Sequence, residues 1–391
     1  MARHVELGAE FVHGRPAATL ALLGEAGAGV VECTGERWVV EDGRIERMGG
    51  RMMGELHQLF ERAASLRTDM SVAEFLARVV KEEPGLRPAA AFLQRMVEGY
   101  DAADPLRASI RALVAEWMGG ATVASTTSRP KGGYATLIDQ MLRTLDPAKV
   151  ELRLESVVRA VRWSSGGVEL DVERRGTVER HRARCLIITL PLGVLQAAPD
   201  DPGAVRFEPP LDQKRAALAG LAMGPVHKVL LRFREPFWEK VDDGRFRDTA
   251  FFTAADLPFR TFWTTLPERS DWLTAWAGGP AAARLSGQTD EGIIARAVES
   301  VQSIFRDRVD VGSLLEETRF HDWERDLRAR GAYSYVTVGG ASARRSLAEP
   351  MEGTLFFAGE ATDYSGEATT VAGAIVSGER AAREVNDGVS S

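Results

Sequence analysis

The sequence predicts an α/β protein in which a dinucleotide-type unit is split by a second domain. Three observations carry this expectation. Helix-like patterning dominates residues 16–118, β-like runs begin after Gly132-Gly133, and the chain closes with a buried-type strand, a turn and a helix. That is the order expected when one α/β unit is interrupted by another. At roughly 100–200 residues per domain, 391 residues make two domains or three. A composition 45% hydrophobic and 27% charged excludes a disordered or fibrous chain. The net charge of −7 offers no basic footprint for a nucleic acid.

The elements follow in order. Residues 1–14 hold no helical period and read as loop or short strand. The apolar run 19–23 stops at Gly24 as a helix would. Ser71-Val72-Ala73-Glu74 is a capping box ahead of Phe75, Leu76, Val79 and Val80. Stretches 55–66, 87–100 and 106–118 also carry helical periodicity. Residues 150–154, 157–163 and 168–172 alternate as strands, the last two joined by Gly166-Gly167 as a hairpin. The continuous run 185–190 predicts a strand buried on both faces, and 228–233 alternates again. Residues 290–305 form a long amphipathic helix, 354–358 a buried strand and 370–385 a final helix, with 387–391 as a tail. Pro191 interrupts the longest apolar stretch, 185–195, which is too short for the ~20 residues a membrane helix needs. Nothing at the start reads as a signal peptide. Cys33 and Cys185 are expected as free thiols in a reducing compartment, the cytoplasm, although one bridge between them is formally possible.

Several segments carry chemistry. Leu355-Phe356-Phe357-Ala358-Gly359-Glu360-Ala361-Thr362 ends a strand on a glycine and a carboxylate, and a helix starts near Thr370. Ligands bind at strand carboxyl ends, and helix N-termini present N–H groups to them. Gly373 and Gly378 would let that helix pack closely. On the residues alone, an ordinary strand, loop and helix with small packing residues is an equal reading. Lys228, in Gly224-Pro225-Val226-His227-Lys228-Val229-Leu230, reads on its own as a solvated strand-edge lysine. Tyr333 could be a core aromatic. Gly27-Ala28-Gly29-Val30-Val31-Glu32 imitates a phosphate loop but follows a helix and precedes a strand, so it is a helix cap and turn. The six histidines show no ligand spacing, so no metal is expected.

Taken together, these motifs resemble the FAD-dependent amine oxidase family, which includes monoamine oxidases, polyamine oxidases and flavin-dependent histone lysine demethylases. The resemblance spans essentially the whole chain. Its carriers are Glu6-Leu7-Gly8-Ala9-Glu10-Phe11-Val12-His13-Gly14, the strand through Val158, and Thr189-Leu190-Pro191-Leu192-Gly193-Val194-Leu195 with Phe207-Glu208-Pro209-Pro210-Leu211. Trp323, Gly331-Ala332-Tyr333-Ser334-Tyr335, the AGE strand end at Gly359 and Thr370-Val371-Ala372-Gly373-Ala374 complete it. The resemblance implies a Rossmann-like FAD/NAD(P)-binding domain interleaved with an α+β substrate domain. Residues 1–15 would be a flavin-side loop of the FAD domain and 16–125 the helical part of the substrate domain. The middle of the FAD domain would be 126–215, the sheet part of the substrate domain 216–330, and the C-terminal part of the FAD domain 331–391. It implies non-covalent FAD, because no cysteine stands in the relevant motifs. Ala9, Glu10, Phe11, Val158, Pro191, Trp323, Gly359, Glu360, Thr370 and Val371 would hold the cofactor. Lys228 would reach flavin N5 through a water and act in the reaction with O₂. Tyr333 would form one wall of an amine-binding cage, left open because Thr370 stands where some members carry a second aromatic.

The implied reaction is oxidation of a primary or secondary amine, polyamines included, to an imine, with O₂ reduced to H₂O₂. No nucleic-acid or membrane partner is implied. The family's opening strand and GxGxxG loop have no counterpart here, so the resemblance also implies a missing first βαβ unit of ~45–60 residues, since such a unit needs about 30 or more. A misassigned start, a gene fragment or a genuine loss would each explain it. Two other readings stand beside this one: an L-amino-acid oxidase, with Arg51 or Arg260 taking the substrate carboxylate, and an inactive truncated fragment.

Overall fold

Alternation builds the largest sheet. In the strand Val226–Phe233, His227, Val229, Leu231 and Phe233 point to one face, and Lys228 and Leu230 to the other. Val229, Leu231 and Phe233 are fully buried against Trp38, Phe252, Phe262 and Phe305. The helix Asp290–Phe305 covers this face with Ile293, Ala297, Val301 and Ile304. Thr289 caps that helix, its Oγ1 accepting the Gly292 N–H at 3.2 Å. Each large apolar side chain buried this way contributes about 1.5–3 kcal/mol. Because one face of the strand is committed to this core, Lys228 is delivered to the other.

The computed structural model describes residues 5–41, 43–47, 51–119 and 126–389, with backbone only at 51–53, 119 and 389. The seven-stranded sheet runs, edge to edge, Leu315–Phe320, Val226–Phe233, Trp272–Gly278, Thr261–Trp263, Thr249–Ala254, Glu36–Glu41 and Arg44–Arg47. All neighbours are antiparallel except Thr249–Ala254 with Glu36–Glu41. A second core holds the helices Arg51–Ala64, Val72–Glu82, Arg87–Gly99 and Ile110–Gly119. The expected capping box is present, with Ser71 Oγ accepting the Glu74 N–H at 3.2 Å and the Ser71 N–H donating to Glu74 Oε2 at 3.0 Å.

The remaining strands form smaller sheets. Arg206–Glu208, Ser156–Ser164, Gly167–Arg174 and Thr177–Ala183 make a four-stranded sheet. Leu186–Ile188 and Leu355–Phe357 pair in parallel, and the helices Leu192–Leu195 and Val371–Val389 follow their carboxyl ends. Val12–His13 and Val30–Glu32 flank Thr127–Pro130. Leu221–Gly224 pairs with Tyr333–Val336. The four-stranded sheet comes from the one stretch 156–208, and the other sheets join distant parts of the chain.

Five expectations need correction. The helical stretch 16–118 contains the strands Val30–Glu32, Glu36–Glu41 and Arg44–Arg47, which complete two sheets. Residues 150–154 alternate but form no strand. Val150, Leu152 and Leu154 are 44%, 59% and 68% exposed, and no neighbouring strand supplies a ladder there among the described residues. The helix expected from 106 starts at Ile110, because Asp104 Oδ1 accepts the Leu106 N–H at 3.0 Å and holds a local turn. The strand at 185–190 is only Leu186–Ile188 and is not buried on both faces, Ile187 being 39% exposed. The expected tail is helical through Val389, and residues 390–391 lie outside the described part. The mimic of a phosphate loop is a helix end, as anticipated: the Ala28 N–H bonds the Leu23 carbonyl and Gly27 has φ +68°.

Candidate active site

The loop of residues 5–14 is the floor of the site. Its backbone is tied down at Leu7, whose carbonyl accepts Trp323 Nε1–H at 3.0 Å, and at Phe11, whose carbonyl accepts the Tyr134 hydroxyl at 2.9 Å. Gly8 and Ala9 between them are exposed. Lys228 is 2% exposed and donates Nζ–H to Glu10 Oε2 at 2.8 Å and to the Gly8 carbonyl at 3.2 Å. It is therefore not a solvated edge lysine. Glu10 Oε1 accepts Arg129 Nε–H at 2.7 Å, and Trp263 Nε1 lies 3.1 Å from both carboxylate oxygens. Burial pushes the Glu10 carboxyl up, but Lys228 and Arg129 outweigh it and hold it below the ordinary carboxylate value. Glu10 thus meets Lys228, Arg129 and Trp263 through its side chain.

Aromatic rings line the adjoining wall. Phe11 stacks at a tilt on Trp263, centroids 5.4 Å apart, and lies 6.1 Å from His13. His13 meets the Tyr100 ring edge-on at 5.2 Å. The Tyr333 hydroxyl donates to the Tyr100 carbonyl at 2.6 Å. Burial lowers His13 to about 4, so the imidazole is neutral at physiological pH. Burial also raises the Tyr100 and Tyr333 hydroxyls, which stay protonated. The wall running from Phe11 to Tyr333 is aromatic, with the Arg129 guanidinium 4.7 Å from the centre of the Phe11 ring.

Strand ends adjoin this wall through Ser334, the neighbour of Tyr333. Leu186–Ile188 and Leu355–Phe357 finish side by side, the Ala358 N–H bonding the Ile188 carbonyl at 2.9 Å. Gly359 adopts φ +117°, and a side chain there would meet only the Thr189 carbonyl, 4.0 Å away, so the strand end is bare. Glu360 follows. Its oxygens accept the Ser334 N–H at 3.1 Å and the Ser334 hydroxyl at 2.7 Å, with Arg344 at 4.0 Å. Burial raises its carboxyl, against the pull of Arg344 and Ser334. Thr370 Oγ1 donates to the Glu367 carbonyl at 2.6 Å and accepts the Gly373 N–H at 3.1 Å, so its hydroxyl caps the helix Val371–Val389. A Cβ at Gly373 would fall 2.2 Å from the Glu367 carbonyl oxygen, which explains that glycine. Gly378 meets nothing within 4 Å, so its expected packing role is not present.

The sequence matches the family described as flavin containing amine oxidoreductase over residues 3–386. The chain belongs to this family. Lysine-specific histone demethylase 1B of Mus musculus is 29% identical over 258 residues, covering 65% of this chain and 29% of its own length. The chain thus spans less than a third of that relative. Polyamine oxidase 2 of Arabidopsis thaliana is 27% identical over 392 residues, covering 92% of this chain and 74% of its own. Wild-type putrescine oxidase bound to putrescine shares the fold, with TM-score 0.75, 19% identity and coverage of 98% and 88% of the two chains.

A flavin cofactor goes with this family, and the residues present suit one. The bare glycine at the strand end and the half-buried acceptor Glu360 beside it would admit a hydroxylated chain at close range. The N-terminus of Val371–Val389 offers a positive dipole end. Pro191 caps the short helix after Leu186–Ile188, on the same side of the parallel pair. Val158 stands further off, in the four-stranded sheet, sharing a core with Ile188 and Phe357. Trp323 acts through its bond to Leu7. Sequence reasoning did not find Arg129, Trp263, Tyr100, Ser334 or Arg344. Arg129, Trp263 and Tyr100 meet partners 119, 253 and 233 positions away and sit in no motif, whereas Ser334 lies inside the 331–335 motif and Arg344 bonds it from ten positions on. Arg260, one candidate for a substrate carboxylate, is ion-paired with Glu98, and the Arg51 side chain lies outside the described residues. Both cysteines are free, and among the described residues no cluster of metal-ligating side chains occurs. No described helix is long and apolar enough to cross a membrane.

Proposed function

We propose that the protein oxidises a primary or secondary amine of the polyamine class to an imine, using non-covalently held FAD and passing the electrons to O₂ to give H₂O₂. The observation that carries this reading is Lys228: a fully buried ammonium held against the backbone of the 5–14 loop, next to an aromatic wall. The amine character of polyamine oxidase 2 and putrescine oxidase, two of the proteins this chain resembles, supports the substrate class.

When bound, FAD would supply a two-electron acceptor for the amine C–N bond and return those electrons to O₂. The chain's own residues do the rest. Tyr333, Tyr100 and His13 present ring surfaces that would orient an amine by apolar and cation–π contact, and neutral His13 does not repel an ammonium on its way in. Thr370, engaged in capping, leaves the cage open on its side. Lys228 has three N–H donors, of which Glu10 and Gly8 take two, and its fixed positive charge would favour the negative charge that develops as O₂ is reduced. In Lys228→Met, flavin content should be unchanged and reoxidation by O₂ should slow by ~10²–10³, the usual cost of one preorganised electrostatic contact. Stopped-flow measurement of both half-reactions is the test, and wild-type reoxidation would remove Lys228 from the reaction.

A further inference from the structure

Lys228 does not hold its place alone. Arg129 is fixed by the backbone beyond the site, donating Nη1–H to the Leu266 carbonyl and Nη2–H to the Thr264 carbonyl, each at 2.9 Å. Its Nε–H grips one oxygen of Glu10 at 2.7 Å, while the other oxygen takes Lys228 at 2.8 Å. Trp263 Nε1 closes on both oxygens at 3.1 Å and offers its ring face 5.6 Å from Nζ. The side chains of Glu10 and Arg129 are only 11% and 16% exposed. Two cations share one carboxylate, so the trio keeps a net positive charge.

We propose that Glu10, anchored by Arg129, is the positioning residue of Lys228: it fixes the ammonium against Gly8 so that the third N–H and the residual charge face the open side of the 5–14 loop. This inference rests on the reading of Lys228 given above. A lysine side chain has about 2 kcal/mol of rotamer entropy to lose. A carboxylate held from behind by a planar, bidentate-capable guanidinium removes that freedom before any reactant arrives. A glutamine at position 10 would leave two buried cations with no counter-charge, and Lys228 would lose the partner that holds it in place.

The test uses the full-length, flavin-loaded protein and two readouts. Trace acetylation with acetic anhydride, read at the Lys228 peptide by mass spectrometry, reports how much free amine is present and needs no turnover. Stopped-flow kinetics report flavin reduction and reoxidation separately. In Glu10→Gln, Lys228 acetylation should rise about tenfold or more, the usual effect of losing an opposite charge within hydrogen-bond reach. Reoxidation should slow at least about tenfold, with reduction changed far less. Glu10→Asp should recover part of both, and Glu239→Gln, whose partner Arg269 lies outside the site, should match wild type. Should Glu10→Gln not fold, Arg129→Lys carries the test. A lysine cannot reach Glu10 and both carbonyls at once, so acetylation of Lys228 should again rise. Unchanged Lys228 acetylation in these variants overturns the proposal. Raised acetylation with wild-type reoxidation in both Glu10→Gln and Lys228→Met would uphold the positioning and remove Lys228 from the O₂ step.

Discussion

His13 is neutral where it stands, because burial lowers it from 6.5 to about 4. Above 6.5 neither the folded nor the unfolded form carries the proton. Between 6.5 and 4 the unfolded chain binds a proton that folded His13 refuses, so stability falls as pH drops through this window. The loss reaches up to about 3 kcal/mol near pH 4. His13→Gln should remove that part of the acid sensitivity. Urea denaturation of both proteins between pH 7 and pH 4 checks it, and a stability difference independent of pH would contradict it. Glu360 and Tyr333 divide their work differently. Glu360→Ala removes a half-buried acceptor at the bare strand end and should weaken FAD by ~10–100-fold, the equivalent of one charge-assisted hydrogen bond. Tyr333→Phe loses only the bond to the Tyr100 carbonyl and should leave FAD affinity nearly unchanged. Equal affinities by equilibrium dialysis would count against these roles. At this scale the sequence singles out residues that sit inside a motif, as Lys228, Tyr333 and Glu360 do. Arg129 was not legible, because its partner Glu10 is 119 positions away and a lone arginine in a four-residue strand has no pattern.

Among the elements, the helix Val371–Val389 shows how one glycine can be essential and its neighbour dispensable. Gly373→Ala would drive a methyl into the Glu367 carbonyl, displace the loop that Thr370 caps and cost ~1–3 kcal/mol. Gly378→Ala faces open space in a helix interior and should stabilise by ~0.5–1 kcal/mol. Thermal denaturation separates the two, and a shift of the same sign in both would refute this account of the helix start. The capping box at Ser71 and the hairpin at Gly166-Gly167 were readable because their signals are local. The strands Glu36–Glu41 and Arg44–Arg47 were not, since their place is set by parallel pairing with Thr249–Ala254, some 200 residues on. The apolar alternation at 150–154 misled for the converse reason: pattern without a partner makes no strand.

At the scale of the molecule, the site exists only because distant segments meet. Lys228 lies 220 positions from the Gly8 carbonyl it binds, and Trp323 lies 316 from Leu7. The mixed α/β class was legible in the order of patterns, and the family in the motifs at its strand ends. The ion-paired setting of Lys228 required the fold. The central claim is that this assembly holds a flavin and lets an amine reduce it. The most direct measurement is an anaerobic titration of the purified full-length protein with putrescine, longer polyamines and simple monoamines, followed by flavin absorbance. The account predicts a yellow protein whose flavin bands bleach in proportion to added polyamine and return with air as H₂O₂ appears. A protein that retains flavin yet stays oxidised with every amine, or that binds none when FAD is supplied, would contradict it.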